Sequence, residues 1–405
     1  MAIPLQQQFS IARYIVTQKI KGVKRYPLVL MLEPLFRCNL ACAGCGKIDY
    51  PDEILQQRMS VQECLEAVDE CGAPVVSIPG GEPLLHKDIG DIVRGIVERR
   101  KFVYLCTNAL LLEKKLHLFE PSPYLAFSIH LDGDREIHDD AVCQDGVYDR
   151  VIKAIQAAQE RSFRVNVNCT LFDGVDAERT ARFFDTMTAM GIDGITVSPG
   201  YAYERAPDQE HFLQRQKTRT LFRSLFRHGA HGSTHGNIRG KKPWPLSHSS
   251  LYLDFLAGNQ TYHCTPWGNP TRNIFGWQRP CYLLGEGYCS SFKELMEETD
   301  WTLYGTGQYE KCANCMAHCG YEASAVEDSF ARPLNALKVA MRTWPKTTGP
   351  MAKDIDISKQ RTARYVFDGH VQKMLDDIRS DIEQDSRAPT PSPSKQTALN
   401  NTHQR

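Results

Sequence analysis

The stretch Glu33-Pro34-Leu35-Phe36-Arg37-Cys38-Asn39-Leu40-Ala41-Cys42-Ala43-Gly44-Cys45 follows directly on an apolar run at 28–32. Its three cysteines, spaced CxxxCxxC, lie on one short loop after a predicted strand. Three thiolates hold three irons of a cubane cluster, whereas a structural or electron-carrying cluster takes four. One iron is then left open to a substrate. The competing readings are a zinc site, which wants a fourth Cys or His nearby, and three buried cysteines without a metal.

A chain of 405 residues holds two to three domains at roughly 150 residues each. Lys plus Arg equals Asp plus Glu at 48 each, so no global field draws the chain to nucleic acid, and no nucleic-acid partner is expected. No stretch approaches the ~20 apolar residues of a membrane span, and the opening MAIPLQQQFS lacks a secretory pattern, so a cytoplasmic location is expected. In that reducing compartment 14 cysteines point to metal ligation rather than disulfides.

From residue 27 apolar runs of strand length alternate with helical patterns. Strands are predicted at 28–32, 75–78, 102–106, 124–130, 163–171 and 192–198. Helices are predicted at 60–71, 88–100, 111–118, 147–160 and 176–190, the first opened by the capping box Ser60-Val61-Gln62-Glu63. Six such units imply an α/β fold, a parallel sheet with right-handed crossovers curled into a partial (β/α)6 barrel. Chemistry in such folds sits at the carboxyl ends of the strands. There lie Pro79-Gly80-Gly81-Glu82-Pro83, Cys106-Thr107-Asn108, Ser128-Ile129-His130-Leu131-Asp132-Gly133, the pair Asn166 and Asn168, and Ser198-Pro199-Gly200.

The triplet followed by the Gly-Gly-Glu-Pro loop resembles the radical S-adenosylmethionine (SAM) enzymes over residues from the apolar run to about 200. The resemblance implies a [4Fe-4S] cluster on Cys38, Cys42 and Cys45 and SAM chelated to the open iron. It implies SAM contacts from Gly80, Gly81, Glu82 and Asn108; Ser128, His130 and Asp132 can bond the ribose or a substrate, and Asn166 and Asn168 alternate inward, Asn168 as a further cofactor contact. One departure concerns Gly44, where the superfamily commonly carries an aromatic residue near the adenine. Space beside the adenosyl group is the expectation.

Outside that region, residues 5–25 read as a helix with Phe9, Ala12, Ile15 or Val16, Ile20 and Val23 on one side and Lys19, Lys21, Lys24 and Arg25 near its end. That side is expected to pack on the barrel, with a membrane-surface helix as the alternative. Residues 201–250 show little regular pattern. They carry His228, His231 and His235 among glycines, then Arg239, Lys241 and Lys242, and read as a surface loop or lid. Residues 250–257 are an apolar helix or strand. Cys264, Gly276, Cys281, Cys312-Ala313-Asn314-Cys315 and Cys319 follow. Four of these thiolates, Cys264, Cys281, Cys312 and Cys315, resemble an auxiliary-cluster extension, and zinc fits the same spacing. Cys289 and Cys319 are spare. The expected division is an N-terminal helix (1–26), the barrel (27–200), an irregular lid or substrate region (201–260), a cysteine-rich extension (261–350), a C-terminal helix (351–383) and a disordered tail (384–405).

The run at 27–34, then CNLACAGCGKI, PGGEPLLH, SIHLDG, LDFLAG and the distal cysteines together resemble the adenosyl-hopene transferase family of bacterial hopanoid biosynthesis. This implies transfer of the 5′-deoxyadenosyl group of SAM to the terminal alkene of hopene. It also implies an electron donor such as a ferredoxin or flavodoxin, and peripheral contact with the inner membrane through residues 5–25 or 228–256. Cys106, at the end of the third strand, is the candidate donor of hydrogen to the product radical; the plain alternative is a small buried thiol. Rival classes are a radical SAM enzyme with an auxiliary cluster acting on a peptide or other small molecule, and a non-catalytic iron–sulfur electron carrier.

Overall fold

The alternation read from the sequence becomes β1 (Val29–Glu33), β2 (Val75–Ile78), β3 (Phe102–Thr107), β4 (Leu125–His130), β5 (Arg164–Leu171) and β6 (Gly194–Pro199) in a computed structural model. The structure describes residues 3–201, 206, 210–230, 243–341, 345–362 and 369–387. The six strands pair in sequence order, each pair parallel, because every connection carries a helix. Three more strands extend the β1 edge. β7 (Thr271–Asn273) runs parallel to β1, and β8 (Gly276–Cys281) and β9 (Leu284–Cys289) fold back antiparallel.

Alternation within the strands separates two environments. In β5, Val165, Val167, Cys169 and Leu171 are fully buried under the helices, while Asn166 and Asn168 face the other way. Inward residues from all six strands, among them Met31, Ser77, Cys106, Ser128, Asn168 and Thr196, line a single cavity of about 290 Å³. A sheet whose opposite strands share one cavity is curled, and the lumen is that cavity. Outside it, the helix Val61–Cys71 starts on the expected capping box, Glu63 N–H donating to Ser60 Oγ and Ser60 N–H to Glu63. It stops at Gly72, whose φ of 69° suits glycine.

Three expectations are corrected. Residues 201–260 are not irregular throughout: Arg215–Ala230 is a 16-residue helix with Phe222, Leu225 and Phe226 fully buried. Its pattern was hidden because a second buried face carries arginines. Arg215 pairs with Asp354 at 2.9 Å, and Arg223 donates to the Gly349 carbonyl at 2.8 Å. Ser250–Leu256 is helical, whereas His231, His235, Arg239, Lys241 and Lys242 lie outside the described residues. The C-terminal helix is Gly369–Arg387, preceded by a non-helical strap at 345–362, so it includes the first four residues of the expected tail. The rest of that tail lies outside the described residues.

The third correction is the N-terminal helix, Leu5–Ile20, which lies across the amino ends of the strands: of the side expected to pack, Ile15 is buried, whereas Phe9, Val16 and Ile20 are turned outward. Gln7 and Ile15 are the buried positions, and Tyr104 of β3 donates its hydroxyl hydrogen to Gln7 Oε1 at 3.1 Å.

Candidate active site

At the carboxyl ends of the strands two loops are stapled together. Gly81 N–H donates to the Leu35 carbonyl (3.1 Å) and Glu82 N–H to the Arg37 carbonyl (2.8 Å), binding the Gly-Gly-Glu turn to the start of the cysteine loop. A Cβ on Gly80 would lie 2.6 Å from the Leu35 carbonyl oxygen, and one on Gly81 would overlap the carbonyl oxygens of Phe36 and Arg37. Both positions therefore require glycine.

Cys42, Gly44 and Cys45 border a cavity of about 240 Å³ with Gly80, Gly81 and Asn108 on its wall. Cys38 adjoins it through Asn108, whose amide donates to Cys38 Sγ (3.8 Å) and to Asn39 Oδ1 (2.8 Å). Burial pushes the Cys38 thiol up to about 11 and raises Cys42 and Cys45, with a further rise at Cys38 and Cys42 from the neighbouring cysteines. Three thiols on one loop beside a cavity suit a metal that holds them as thiolates.

Glu82, expected among the SAM contacts, has its carboxylate turned inward, where it accepts from Thr107 Oγ1 (2.8 Å), Asn108 N–H (2.8 Å) and Leu84 N–H (2.9 Å). It positions Asn108 rather than lining the cavity. Burial pushes its pKa up to about 7 despite those donors. Ser128 is on the lumen wall beside Cys106, while Asn168 borders both the lumen and the cavity beside Cys42 and Cys45. His130 and Asp132 close the cavity's far side, His130 Nε2 lying 2.7 Å from Asp132 Oδ2. Burial alone would lower the His130 pKa, but the Asp132 carboxylate raises it.

The space expected at Gly44 is filled. A Cβ there would meet the Phe172 ring at 2.8 Å, and one on Gly200 would meet the same ring at 2.7 Å. Phe172, just past β5, thus brings an aromatic face to the place where residue 44 offers none. Two glycines separated by 156 positions form its cradle, a signal no local motif carries. Lys47 was also missed; it pairs with the buried Glu33 at 3.0 Å and stands 4.3 Å over the Tyr282 ring on the same cavity wall.

Cys106 borders both the cavity and the lumen. Its Sγ is 3.4 Å from Ser77 Oγ, and burial raises its pKa, so the thiol keeps its hydrogen at neutral pH.

A second cavity, of about 530 Å³, is bordered by Cys264, Cys281, Cys312, Cys315 and Cys319. Cys319, expected to be spare, belongs to this group, and Cys289 does not: it is buried by β9 near Arg279. A Cβ on Gly320 would overlap Cys264 Sγ, so glycine admits that thiol. Among the described residues no three His, Cys, Asp or Glu side chains are gathered to hold a single metal ion. Four of the five thiols suffice for a cubane cluster or for a tetrahedral zinc, and one cysteine is left over in either case.

Comparison with known proteins gives a consistent picture. Residues 32–187 match the family model described as the radical SAM superfamily, and residues 195–339 match one described as a domain of unknown function (DUF3463). A GTP 3′,8-cyclase of Listeria welshimeri is 30% identical over 154 residues, 36% of this chain and 46% of that protein. The mycofactocin maturase MftC of Mycolicibacterium smegmatis is 28% identical over 145 residues, 34% of this chain and 36% of that protein. The chain thus spans less than half the length of these relatives. In fold it is similar to Streptococcus suis SuiB bound to S-adenosylmethionine (TM-score 0.52, 18% identity, 65% of this chain and 62% of that one). It is similar also to anSMEcpe with bound AdoMet (TM-score 0.51, 18% identity, 78% and 97%).

Proposed function

We propose that this chain is a radical SAM enzyme that uses a [4Fe-4S] cluster and SAM, a reading that the match at 32–187 supports, and that it acts on an apolar molecule held in the barrel lumen. In its narrower form the proposal is that the 5′-deoxyadenosyl group is joined to the terminal alkene of hopene. The observation that carries it is the lining of the lumen. It starts at Cys106 and Asn168 on the wall of the SAM-side cavity and ends among Ile11, Leu28, Val29, Met31, Val75 and Val326. That end favours hydrocarbon, while Gln7, Ser247, His248, His318 and Glu322 on the same wall offer polar groups to a substrate that carries them.

Cys38, Cys42 and Cys45 would hold the cluster, which supplies one electron to SAM and so releases the 5′-deoxyadenosyl radical. The Gly80–Gly81 turn lets the chain come close to SAM, and Glu82 fixes Asn108 at the edge of the site. Phe172 offers a face for the adenine. Addition to a terminal methylene leaves a tertiary carbon radical on the substrate. Cys106, at the junction of the two spaces, carries a thiol hydrogen to give to it, and the thiyl left behind takes an electron from the external reductant and a proton. The four thiols Cys264, Cys281, Cys312 and Cys315, with Cys319 beside them, would hold a second cluster.

The names of the sequence relatives favour a broader reading better than the hopene one: a radical SAM enzyme with a second cluster that modifies a peptide or other small molecule. Anaerobic reconstitution with iron, sulfide, SAM and dithionite, followed by mass analysis, separates the two. An adenosyl adduct of hopene supports the narrower form. Formation of 5′-deoxyadenosine with no adduct refutes hopene and leaves the broader reading. Cys106→Ala is expected to keep SAM cleavage and lose most of the saturated adduct; an unchanged adduct yield and by-product pattern removes Cys106 from the reaction.

A further inference from the structure

The N-terminal helix has two apolar faces, and only one is used. Ile3, Gln7 and Ile11 close the amino end of the lumen together with Ala323 and Val326 of the helix His318–Ala331. On the other side Leu5, Phe9, Val16 and Ile20 are 67%, 73%, 45% and 81% exposed. With Ala12, these positions fall within roughly 80° of arc at 3.6 residues per turn, so they form one stripe. The helix Pro333–Ala340 and the residue after it add Leu334, Leu337 and Met341, 75%, 55% and 69% exposed. Lys19 joins the two, its Nζ standing 5.6 Å from the centroid of Phe330 at the end of the helix before.

Charge marks what this face meets. Residues 1–32 contain Arg13, Lys19, Lys21, Lys24 and Arg25 and no Asp or Glu, and all five cations are exposed. Long cationic side chains beside an apolar stripe reach outward while the stripe sinks, as in helices that lie in a membrane interface. A contiguous apolar face of this kind is rare on a surface that meets only water.

We propose that this face docks on an anionic lipid bilayer, and that the N-terminal helix is the threshold past which an apolar substrate enters the lumen. The same helix floors the lumen and carries the stripe, so docking places the bilayer one helix thickness from the cavity. The passage rests on the apolar-substrate reading above; the docking does not.

Flotation of the full-length reconstituted protein with phosphatidylcholine vesicles, and with vesicles of phosphatidylcholine and phosphatidylglycerol, tests the docking. The protein should float with the anionic vesicles and much less with the neutral ones. Phe9→Glu with Ile20→Glu should abolish flotation, and each of Lys19→Gln and Lys21→Gln should weaken binding about fivefold. All four substitutions are at exposed positions, so SAM cleavage without vesicles should be unchanged and reports that the variants fold. Flotation unaffected by the Glu pair, or no flotation of the parent protein, overturns the proposal. So does a concentration-dependent dimer in sedimentation velocity that the Glu pair dissociates, since the stripe then belongs to a second copy. Flotation without any hopene adduct keeps the docking and sinks the substrate; adduct from detergent-dispersed hopene without flotation does the reverse.

Discussion

The two cysteine sites of this chain are built on opposite plans. Cys38, Cys42 and Cys45 come from one loop, and the space beside them is left open and bordered by Gly80, Gly81 and Asn108. The distal group gathers five thiols from four segments around its own cavity, with Tyr321 and Leu283 closing over it. Three thiols with a neighbouring cavity leave an iron for a substrate, whereas five leave none. The sites are nevertheless adjacent. Tyr201 borders the SAM-side cavity, the lumen and the distal cavity, and Phe212 borders both cysteine cavities.

Cysteine replacement at the two sites gives the largest expected contrast. Cys42→Ser should abolish 5′-deoxyadenosine formation while leaving the distal iron in place. Cys281→Ala should roughly halve the iron content and leave measurable SAM cleavage. Iron and sulfide analysis with the nucleoside assay reads both, and equal loss of SAM cleavage in the two variants would erase the distinction between the sites. Cys319→Ala sharpens it: retained distal iron makes Cys319 the surplus thiol, and lost iron makes it a ligand in place of another.

The next effect is steric. Gly81→Ala forces a Cβ onto two carbonyl oxygens of the cysteine loop, which are backbone atoms without freedom to yield. It should cost about 2–4 kcal/mol of stability, read by urea unfolding. The distal counterpart, Gly320→Ala, meets only the Cys264 sulfur and should cost less but disturb distal iron loading. Phe172→Ala should weaken SAM binding, and Gly44→Phe in that background should restore part of it, because the ring space is then free. In the parent chain Gly44→Phe alone should be damaging.

What was legible in the chain follows from how local each signal is. The six strands, the capping box and the triplet are set by residues close in sequence, and they stand where expected. Features assembled across the chain were not legible. Phe172 in its cradle of Gly44 and Gly200, Cys319 among the distal thiols, and the inward turn of Glu82 each depend on residues brought together by β-strand register. The N-terminal helix was legible only in part: Ile15 packs inward as one of the expected residues, but Phe9, Val16 and Ile20 offer a better apolar stripe than Gln7 and Ile11, which share its buried side. The polar Gln7 is buried only because Tyr104 satisfies it. The helix Arg215–Ala230 was hidden for the same reason, since Arg219 and Arg223 bond the Ala352 and Gly349 carbonyls of a strap more than a hundred residues away.

The smallest expected effect concerns Glu82, which the distal site has no equivalent for. Its carboxyl is raised from 4.5 to about 7 by burial, ahead of the lowering from Asn108, Leu84 and Thr107. Folded, the group therefore holds its proton up to a higher pH than when unfolded. Between those two values the native chain binds more protons, so this contribution to stability is full below pH 4.5 and is lost as pH rises through about 7. The loss is on the order of 3 kcal/mol at most. Urea unfolding of the metal-free protein at pH 5 and pH 8 should show that decline, and Glu82→Gln should flatten it. The same substitution keeps one acceptor oxygen for three donors, so it should also loosen Asn108 and weaken SAM binding while leaving distal iron untouched. A pH slope identical in Glu82→Gln and the parent would mean that the carboxyl is already ionised in the fold, its three donors and Lys115 outweighing burial.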